Sequence, residues 1–291
     1  LKLLKENKFV DVQNLLSTRK NSIWLRFGEN TPLQWLLINT CLKILQKCKD
    51  LEEGFASNTK DLTSIINFYT QEYYVLDHLI RDFISIKDDV FSEKFNDIIT
   101  ITQQNYYNSV GKLQSQFVLK IKESGWPPSN FQSNYKIFDS YIAPKILDKE
   151  SKIVYFMIDA LRYELGMDLK NRLENSNLKL SIMPSFSALP SVTNIGMASL
   201  LPEANNEISY QTNNNQFDVL YSNENINDAS KRMNVFKKRY GDQFQEINLD
   251  EISSNLKNKI KKNVKVLVVR SYSMDQLLET NQHAAIKTIQ N

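Results

Sequence analysis

The apolar run Ile153–Ile158, which stops abruptly at Asp159, constrains the fold of this chain more than any other feature. A continuous apolar run of this kind is typical of a strand whose two faces are both covered, as in a parallel sheet. After it come an amphipathic helical pattern (Leu161–Leu173), a short apolar run (Leu178–Met183), and a third run (Val264–Val269) that leads into a helix from about Asp275. Strands that alternate with helices predict a mostly parallel α/β sheet in residues 148–291.

Residues 1–147 instead have the periodicity of helices. Thr31, Pro32 and Gln34 form a helix start, with Thr31 as the predicted N-cap, and apolar residues then repeat at helical spacing. Two longer patterns follow at about 60–86 and 90–122, and a short one at about 134–147. We therefore predict an all-helical N-terminal domain, since each apolar stripe needs an apolar partner.

The region between the second and third predicted strands is rich in asparagine. It contains a strand candidate, Gln216–Tyr221, and its composition is typical of a surface excursion such as a hairpin lid over the sheet edge. Asp228–Tyr240 has the pattern of a helix that returns the chain to the sheet.

Charge and cysteine usage exclude some classes of protein. The net charge is only +3, from 36 basic and 33 acidic residues, so the chain lacks the basic field of a dedicated nucleic-acid binder. No apolar run reaches the ~18 residues that a membrane span needs. Cys41 and Cys48 lie two helical turns apart, too far for a disulfide, which suits a reducing compartment such as the cytoplasm. Because a helical pattern is still running at Asn291, we expect a fragment of a longer protein.

Asp159 is the first candidate for chemistry. The carboxyl edge of an open parallel sheet is where such folds bind ligands, and a carboxylate there can hold a divalent cation. The alternative is that Asp159 only caps the helix predicted to begin near Leu161.

Thr193 is the second candidate, because Leu189-Pro190-Ser191-Val192 precedes it and a helical pattern follows. Backbone N–H groups at a helix start favour an anion, and metal coordination can activate the hydroxyl as a nucleophile. The alternative is that Ser191 or Thr193 is simply an N-cap.

Asp275 and Glu279 would face the same side of the helix after the third strand, and together they could hold one cation. Asp275 could also be only the cap of that helix. If all three predicted strands share one sheet, the carboxyl ends of the three strands converge on one pocket.

The segments Ile158-Asp159-Ala160-Leu161-Arg162-Tyr163-Glu164 and Leu189-Pro190-Ser191-Val192-Thr193 resemble the signature of the PglZ domain, a branch of the alkaline phosphatase superfamily. The resemblance covers roughly Lys152–Asn291. Proteins of this family are associated with the BREX phage-defence systems of bacteria, and a helical region ahead of the domain is similar to what this chain has.

The resemblance implies two catalytic divalent metals, usually zinc, with manganese or magnesium as alternatives. It implies that Asp159 is a ligand of one metal, that Thr193 is the metal-bound nucleophile, and that Asp275 and Glu279 bind the other metal. Arg162 and Asn194 are candidate phosphate contacts, although Arg162 could equally pair with a neighbouring carboxylate or be a surface residue.

The sequence departs from the superfamily pattern in two places. Glu279 stands where a histidine is usual, and no strand ending in Asp-His follows it, because His283 lies inside the helix. Two aspartates, a threonine and a glutamate are too few ligands for two four-coordinate zinc ions. We therefore expect this stretch alone to be catalytically incomplete and its α/β core to be truncated at the C-terminus.

Two functions follow as hypotheses. The first is a metal-dependent phosphoesterase, a phosphatase or a phosphodiesterase or nuclease, with a phosphoester substrate and other BREX proteins as partners. Nucleic acid is an open substrate class, and no membrane is expected. The alternative is a non-catalytic assembly or sensing module of a defence complex.

Overall fold

The computed structural model describes residues 1–23, 25, 30–90, 92–148, 150–213, 216–249 and 260–275. The helices are α1 (Lys2–Lys5), α2 (Phe9–Thr18), α3 (Thr31–Glu53), α4 (Phe55–Asn58), α5 (Leu62–Phe68), α6 (Tyr74–Lys87), α7 (Asn96–Ser124), α8 (Asn134–Ile137), α9 (Ala143–Ile146), α10 (Tyr163–Leu173), α11 (Thr193–Ala198), α12 (Ala204–Glu207) and α13 (Ala229–Tyr240). The strands are β1 (Ile153–Ile158), β2 (Ile208–Asn213), β3 (Gln216–Tyr221), β4 (Glu224–Asn225), β5 (Phe244–Asn248) and β6 (Val266–Ser271).

The described residues form two compact units. The first contains Leu1–Ser124 and Arg162–Ile182, and the second contains Gly125–Leu161 and the described residues from Met183 to 275. Each unit therefore draws on separate stretches of the chain. The predicted division into domains at residue 147 stays a prediction.

Helices α1–α7 and α10 build the first unit. The predicted helix start at Thr31 is confirmed, although the N-cap is Asn30 rather than Thr31. The predicted helix at 60–86 is also confirmed, with Asp61 as its side-chain cap and a π-helical turn, Tyr69–Tyr73, between α5 and α6. The core is apolar and includes Leu37, Ile44, Leu76, Phe83 and Ile98.

Both cysteines lie in this core on α3 and are unpaired thiols, as their spacing predicts. Burial raises the pKa of Cys41 and of Cys48 to about 11, so both thiols stay protonated at neutral pH. Burial therefore disfavours the thiolate, the form of cysteine that acts as a nucleophile or metal ligand. None of the helices in the described part of the chain is both long enough and apolar enough to cross a membrane.

A buried ion pair attaches α10 to α6 inside the first unit. The Arg81 side chain is only 4% exposed, and its guanidinium pairs with the Asp168 carboxylate. The other carboxylate oxygen of Asp168 lies 3.2 Å from Nδ1 of His78. Because Arg81 has so little contact with water, the position of α10 depends on this pair.

The second unit contains a three-stranded parallel sheet with the order β1-β6-β5. The predicted parallel pairing of the first and last apolar runs is confirmed, and its register places Tyr155 beside Val268 and Met157 beside Arg270. The last strand covers Val266–Ser271, two residues later than predicted. β5 was not predicted. The helical region followed by a parallel sheet confirms the predicted fold class.

One face of the sheet carries the main core of the second unit. Tyr155 and Met157 of β1 belong to this core together with residues of α11 and α13. On the other face of β1, Val154 and Phe156 are 50% and 55% exposed. The prediction that both faces of this strand are covered is therefore wrong. In β6, the neighbour of β1, side chains on both faces are buried.

A separate antiparallel sheet, β2-β3-β4, contains the strand predicted at Gln216–Tyr221. β2 and β3 pair along their whole length, from Ile208 with Tyr221 to Asn213 with Gln216, so the predicted hairpin is confirmed. Val219 is fully buried in the core that also holds β1 and α11. The predicted return helix is confirmed as α13, with Asp228 as its N-cap.

The strand predicted at Leu178–Met183 is wrong. This segment has no regular secondary structure, and Leu178 and Met183 are 60% and 50% exposed. Ile182 instead lies against α10, where its Cδ1 atom is 3.4 Å from the position that a Cβ on Gly166 would occupy. Ile182 is therefore partly buried by packing on a helix, and the segment has no strand partner among the described residues. Two, not three, of the predicted strand ends meet at the sheet edge.

Candidate active site at the carboxyl edge of the parallel sheet

Asp159 lies directly after β1 at the carboxyl edge of the parallel sheet. Its backbone N–H donates to the carbonyl oxygen of Ser271 at 3.1 Å, so the residue extends the β1–β6 ladder. Its Oδ1 accepts a hydrogen bond from the Ala160 N–H at 3.0 Å. Its Oδ2 is buried and has no hydrogen-bond partner among the described residues. A buried carboxylate oxygen without a donor is costly, and a bound cation would offset that cost.

The backbone after Asp159 turns sharply. Ala160 has a φ of 57°, in the left-handed region, which costs a residue with a Cβ about 1–2 kcal/mol. Such conformations cluster at functional sites. The following helix, α10, begins only at Tyr163, and its N-cap is Arg162. The alternative in which Asp159 serves as the helix cap is therefore wrong.

Thr193 is the first residue of α11, as predicted. The N-cap is Val192, and no side chain makes a capping hydrogen bond, so the alternative in which Ser191 or Thr193 caps the helix is wrong. The first helical hydrogen bonds run from the N–H groups of Ile195 and Gly196 to the carbonyl oxygen of Val192. The N–H groups of Thr193 and Asn194 precede these bonds at the start of the helix. Because α11 has only six residues, its dipole attracts an anion less than a long helix would.

Asp159 and Asp275 leave the sheet at the same edge. Asp275 lies in a short helical segment, 273–275, that follows β6, and β6 is the parallel neighbour of β1. The topology therefore places these two residues beyond the same edge of the sheet. Glu279, His283 and most of the helix predicted from Asp275 lie outside the described residues.

The two candidate phosphate contacts have other partners. The Arg162 guanidinium belongs to the first unit, where its Nη2 lies 2.7 Å from Oε1 of the buried Glu164. This matches the alternative in which Arg162 pairs with a neighbouring carboxylate. The Oδ1 of Asn194 accepts from the Ile195 N–H at 3.0 Å, which leaves the side-chain nitrogen as the donor that Asn194 could offer.

Arg270 lies near the same edge of the sheet and was not among the residues that the sequence indicated. It is the penultimate residue of β6, and its side chain is only 16% exposed. Its Nη1 donates to the Tyr272 hydroxyl at 2.9 Å and its Nη2 to Oε2 of Glu246 at 3.2 Å, whereas its Nε is buried without a hydrogen-bond partner. The sequence does contain one indication of Arg270: it directly follows the apolar run Val266–Val269. Arginine is rare at such buried positions.

Tyr155 connects β1 to Leu200, the second residue after the end of α11. Its hydroxyl donates to the carbonyl oxygen of Leu200 at 3.1 Å. Burial raises the pKa of this phenol well above its usual range, so it remains a donor at neutral pH. The end of α11 is thereby attached to the middle of β1.

Within the described part of the chain, no group of three or more His, Cys, Asp or Glu residues is arranged to hold a metal ion. The candidate ligands that it does contain, Asp159, Thr193 and Asp275, offer oxygen atoms only. The buried, unpartnered Oδ2 of Asp159 fits a cation ligand.

The chain is similar to known alkaline phosphatase-like proteins. The family model "BREX system PglZ alkaline phosphatase-like domain" matches residues 137–287, just over half of the chain. The alkaline phosphatase-like protein PglZ of Bacillus cereus (strain H3081.97) is 23% identical over 235 residues, which cover 78% of this chain and 26% of the relative. The alkaline phosphatase-like protein BrxZ of Escherichia coli O9:H4 (strain HS) is 24% identical over 237 residues, which cover 76% and 26%.

The chain thus spans about a quarter of the length of these curated relatives. The matched region begins in α8 and includes β1, α11 and β6, the elements that carry Asp159, Thr193 and Arg270. Because the family model matches these elements, this chain belongs to the PglZ family of alkaline phosphatase-like domains of BREX systems.

Proposed function

We propose that this chain supplies Asp159 and Thr193 to the active site of a metal-dependent phosphoesterase. The observation that carries the proposal is the buried Oδ2 of Asp159, which has no hydrogen-bond partner at the carboxyl edge of a parallel sheet. Ligands bind at this edge in open parallel sheets.

The packing of α11 supports a shared site for the two residues. Tyr155 and Met157 lie on the face of the sheet that packs in one core with α11. Because side chains alternate along a strand, Asp159 is expected on the same face. The hydrogen bond from Tyr155 to Leu200 fixes the end of α11 beside the middle of β1. From there, Thr193 lies about 10 Å away along the helix and Asp159 about 13 Å away along the strand. We propose that α11 runs antiparallel to β1, which would bring Thr193 towards Asp159.

The proposed reaction is phosphoryl transfer to Thr193. The Thr193 hydroxyl attacks phosphorus in line with the leaving group, the bond to the substrate oxygen breaks, and the alcohol product leaves. Water then hydrolyses the phosphothreonine and restores the hydroxyl. When bound, a divalent metal ion would lower the pKa of a coordinated hydroxyl and offset the charge of the phosphoryl oxygens. The role of Asp159 is to hold that ion.

Zinc is the metal that we propose first, by resemblance to the superfamily. Because Asp159, Thr193 and Asp275 offer only oxygen atoms, manganese and magnesium are the alternatives that the donor chemistry favours. Glu279 remains a proposed ligand of the second metal.

The substrate and partners are proposals at the level of chemical class. The substrate is a phosphomonoester or phosphodiester, nucleic acid included, and the partners are other BREX proteins. The net charge of +3 indicates that tight binding to nucleic acid would need a basic surface from a partner. We propose that the protein acts in the cytoplasm.

A non-catalytic assembly or sensing module is the second candidate function. The observation that favours it is the absence of a three-ligand metal cluster among the described residues. The two functions differ in whether the protein binds metal and hydrolyses phosphoesters.

We expect Asp159→Asn to remove bound metal from the natural full-length protein and to lower hydrolysis of p-nitrophenyl phosphate and bis-p-nitrophenyl phosphate by about 10³-fold or more. The neutral amide keeps the shape of the side chain but is a much poorer ligand. Elemental analysis and a colorimetric assay with added Zn²⁺ or Mn²⁺ measure both effects.

The matched control is Asp148→Asn, which changes an exposed aspartate of the same unit whose carboxylate accepts from Ser151 Oγ and the Glu150 N–H. It should leave metal content and rate unchanged. A wild-type protein that binds no metal and hydrolyses neither substrate would favour the module over the enzyme.

A further inference from the structure

Among the residues that the structure describes, two buried polar atoms of opposite charge lack hydrogen-bond partners at the same edge of the parallel sheet. One is Oδ2 of Asp159, an acceptor, and the other is Nε of Arg270, a donor. Buried polar atoms in proteins nearly always have a hydrogen-bond partner, so each orphan requires an explanation.

The sheet register places the two side chains on the same face. Met157 pairs directly with Arg270. Asp159 lies two residues after Met157, directly after β1, and strand alternation places its side chain on the same face. Strand spacing and rise put the two Cα atoms about 8 Å apart. On this face the core of the unit also includes Ile195 and Met197 of α11, the helix that begins with Thr193.

The side chain of Arg270 is held in place, but only part of its hydrogen-bonding capacity is used. A guanidinium has five N–H donors in a rigid fork. One Nη donates to Glu246 on β5 and the other to Tyr272, whose ring centroid lies 5.6 Å from Cζ. Glu246 is 43% exposed, so solvent screens this ion pair and it neutralises the buried cation incompletely.

We propose that Arg270 binds the phosphoryl oxygens of the substrate, beside the cation held by Asp159. An oxyanion at this edge supplies the acceptor that Nε lacks, and a cation supplies the charge that Oδ2 lacks. Arginine matches this task because its planar fork binds phosphate with two parallel hydrogen bonds. Glu246 and Tyr272 position the guanidinium. This inference rests on the proposed phosphoesterase site and names the residue that recognises its substrate.

The test measures binding of inorganic phosphate to the natural full-length protein by calorimetry, with and without Zn²⁺. We expect Arg270→Met to weaken binding about 10- to 100-fold, the range for lost hydrogen bonds to a charged group. Arg270→Lys should weaken it less, because lysine keeps the charge and loses the fork. Should the methionine variant fail to fold by circular dichroism, the lysine variant decides.

Two controls separate recognition from a structural role. Arg239→Met removes another guanidinium of the second unit that pairs with a glutamate, with Nη2 2.8 Å from Oε1 of Glu203, and should leave phosphate affinity unchanged. Glu246→Gln removes the charge that positions the guanidinium but keeps the cation, so phosphate affinity should fall less than in Arg270→Met.

Wild-type affinity in both Arg270 variants, or a loss in Arg239→Met as large as that in Arg270→Met, would overturn the role of Arg270. A wild-type protein that does not bind phosphate would overturn it as well. The proposed catalytic role of Thr193 is measured separately by hydrolysis. If Thr193→Ala retained activity while Arg270→Met lost phosphate binding, the proposed nucleophile would fail and the phosphate contact would stand.

Discussion

Replacing Thr193 with alanine is expected to lower phosphoester hydrolysis by the natural full-length protein about 10⁴-fold or more. The hydroxyl is the proposed nucleophile, and removing a nucleophile abolishes the covalent route, so that only binding and electrostatic effects remain. Thr193→Ser keeps a hydroxyl and should retain measurable activity. The assay is the initial rate with p-nitrophenyl phosphate at saturating metal.

The fold should survive this substitution. Thr193 is half-buried and makes no capping hydrogen bond, so we expect its loss to change the free energy of unfolding by about 0.5 kcal/mol or less. Thr212→Ala, at an exposed threonine of β2, is the matched control and should leave the rate unchanged. Acid quenching during turnover followed by peptide mass spectrometry should find phosphate on Thr193 in the wild type. Retained activity in Thr193→Ala would remove this residue from the mechanism.

Asp168→Asn is expected to destabilise the first unit by about 3 kcal/mol or more. The substitution leaves the Arg81 guanidinium buried without its counter-charge, and Arg81 already has a buried Nε with no hydrogen-bond partner. Breaking one side of a buried ion pair typically costs about 3–5 kcal/mol. Urea denaturation followed by circular dichroism measures the loss.

The control for this prediction is Glu123→Gln, which removes a solvent-exposed partner of Lys120 at 3.6 Å. Surface pairs contribute about 1 kcal/mol at most, so this variant should unfold almost as the wild type does. The double substitution Arg81→Met with Asp168→Leu should recover much of the stability, because it removes both buried charges. Equal stability of Asp168→Asn and the wild type would show that Arg81 does not depend on this carboxylate.

The sequence was sufficient to predict the elements that present the candidate site. The apolar runs that became β1 and β6 each contain side chains that are buried in the sheet, and hydrophobic periodicity reports burial directly. The start of α11 at Thr193 followed from the Pro-Ser-Val stretch before a helical pattern. Asp159 was identified because a carboxylate directly after a buried strand can lie only at the sheet edge.

Other features depend on tertiary contacts that a local pattern does not contain. The run at Leu178–Met183 alternates as a strand does, but Ile182 packs on α10 and the backbone has no strand partner. β5 was missed because Phe244–Asn248 has three polar residues among its five. Arg270 was missed because its significance depends on the register between β1 and β6, which places it beside Met157.

The most direct test of the shared site is a crystal structure of the natural full-length protein grown with zinc, with anomalous scattering recorded at the zinc edge. The proposal predicts a zinc peak within about 2.0–2.2 Å of a carboxylate oxygen of Asp159, with the Thr193 hydroxyl coordinated to the same ion. A zinc ion bound elsewhere, or Asp159 and Thr193 directed into different parts of the domain, would contradict it.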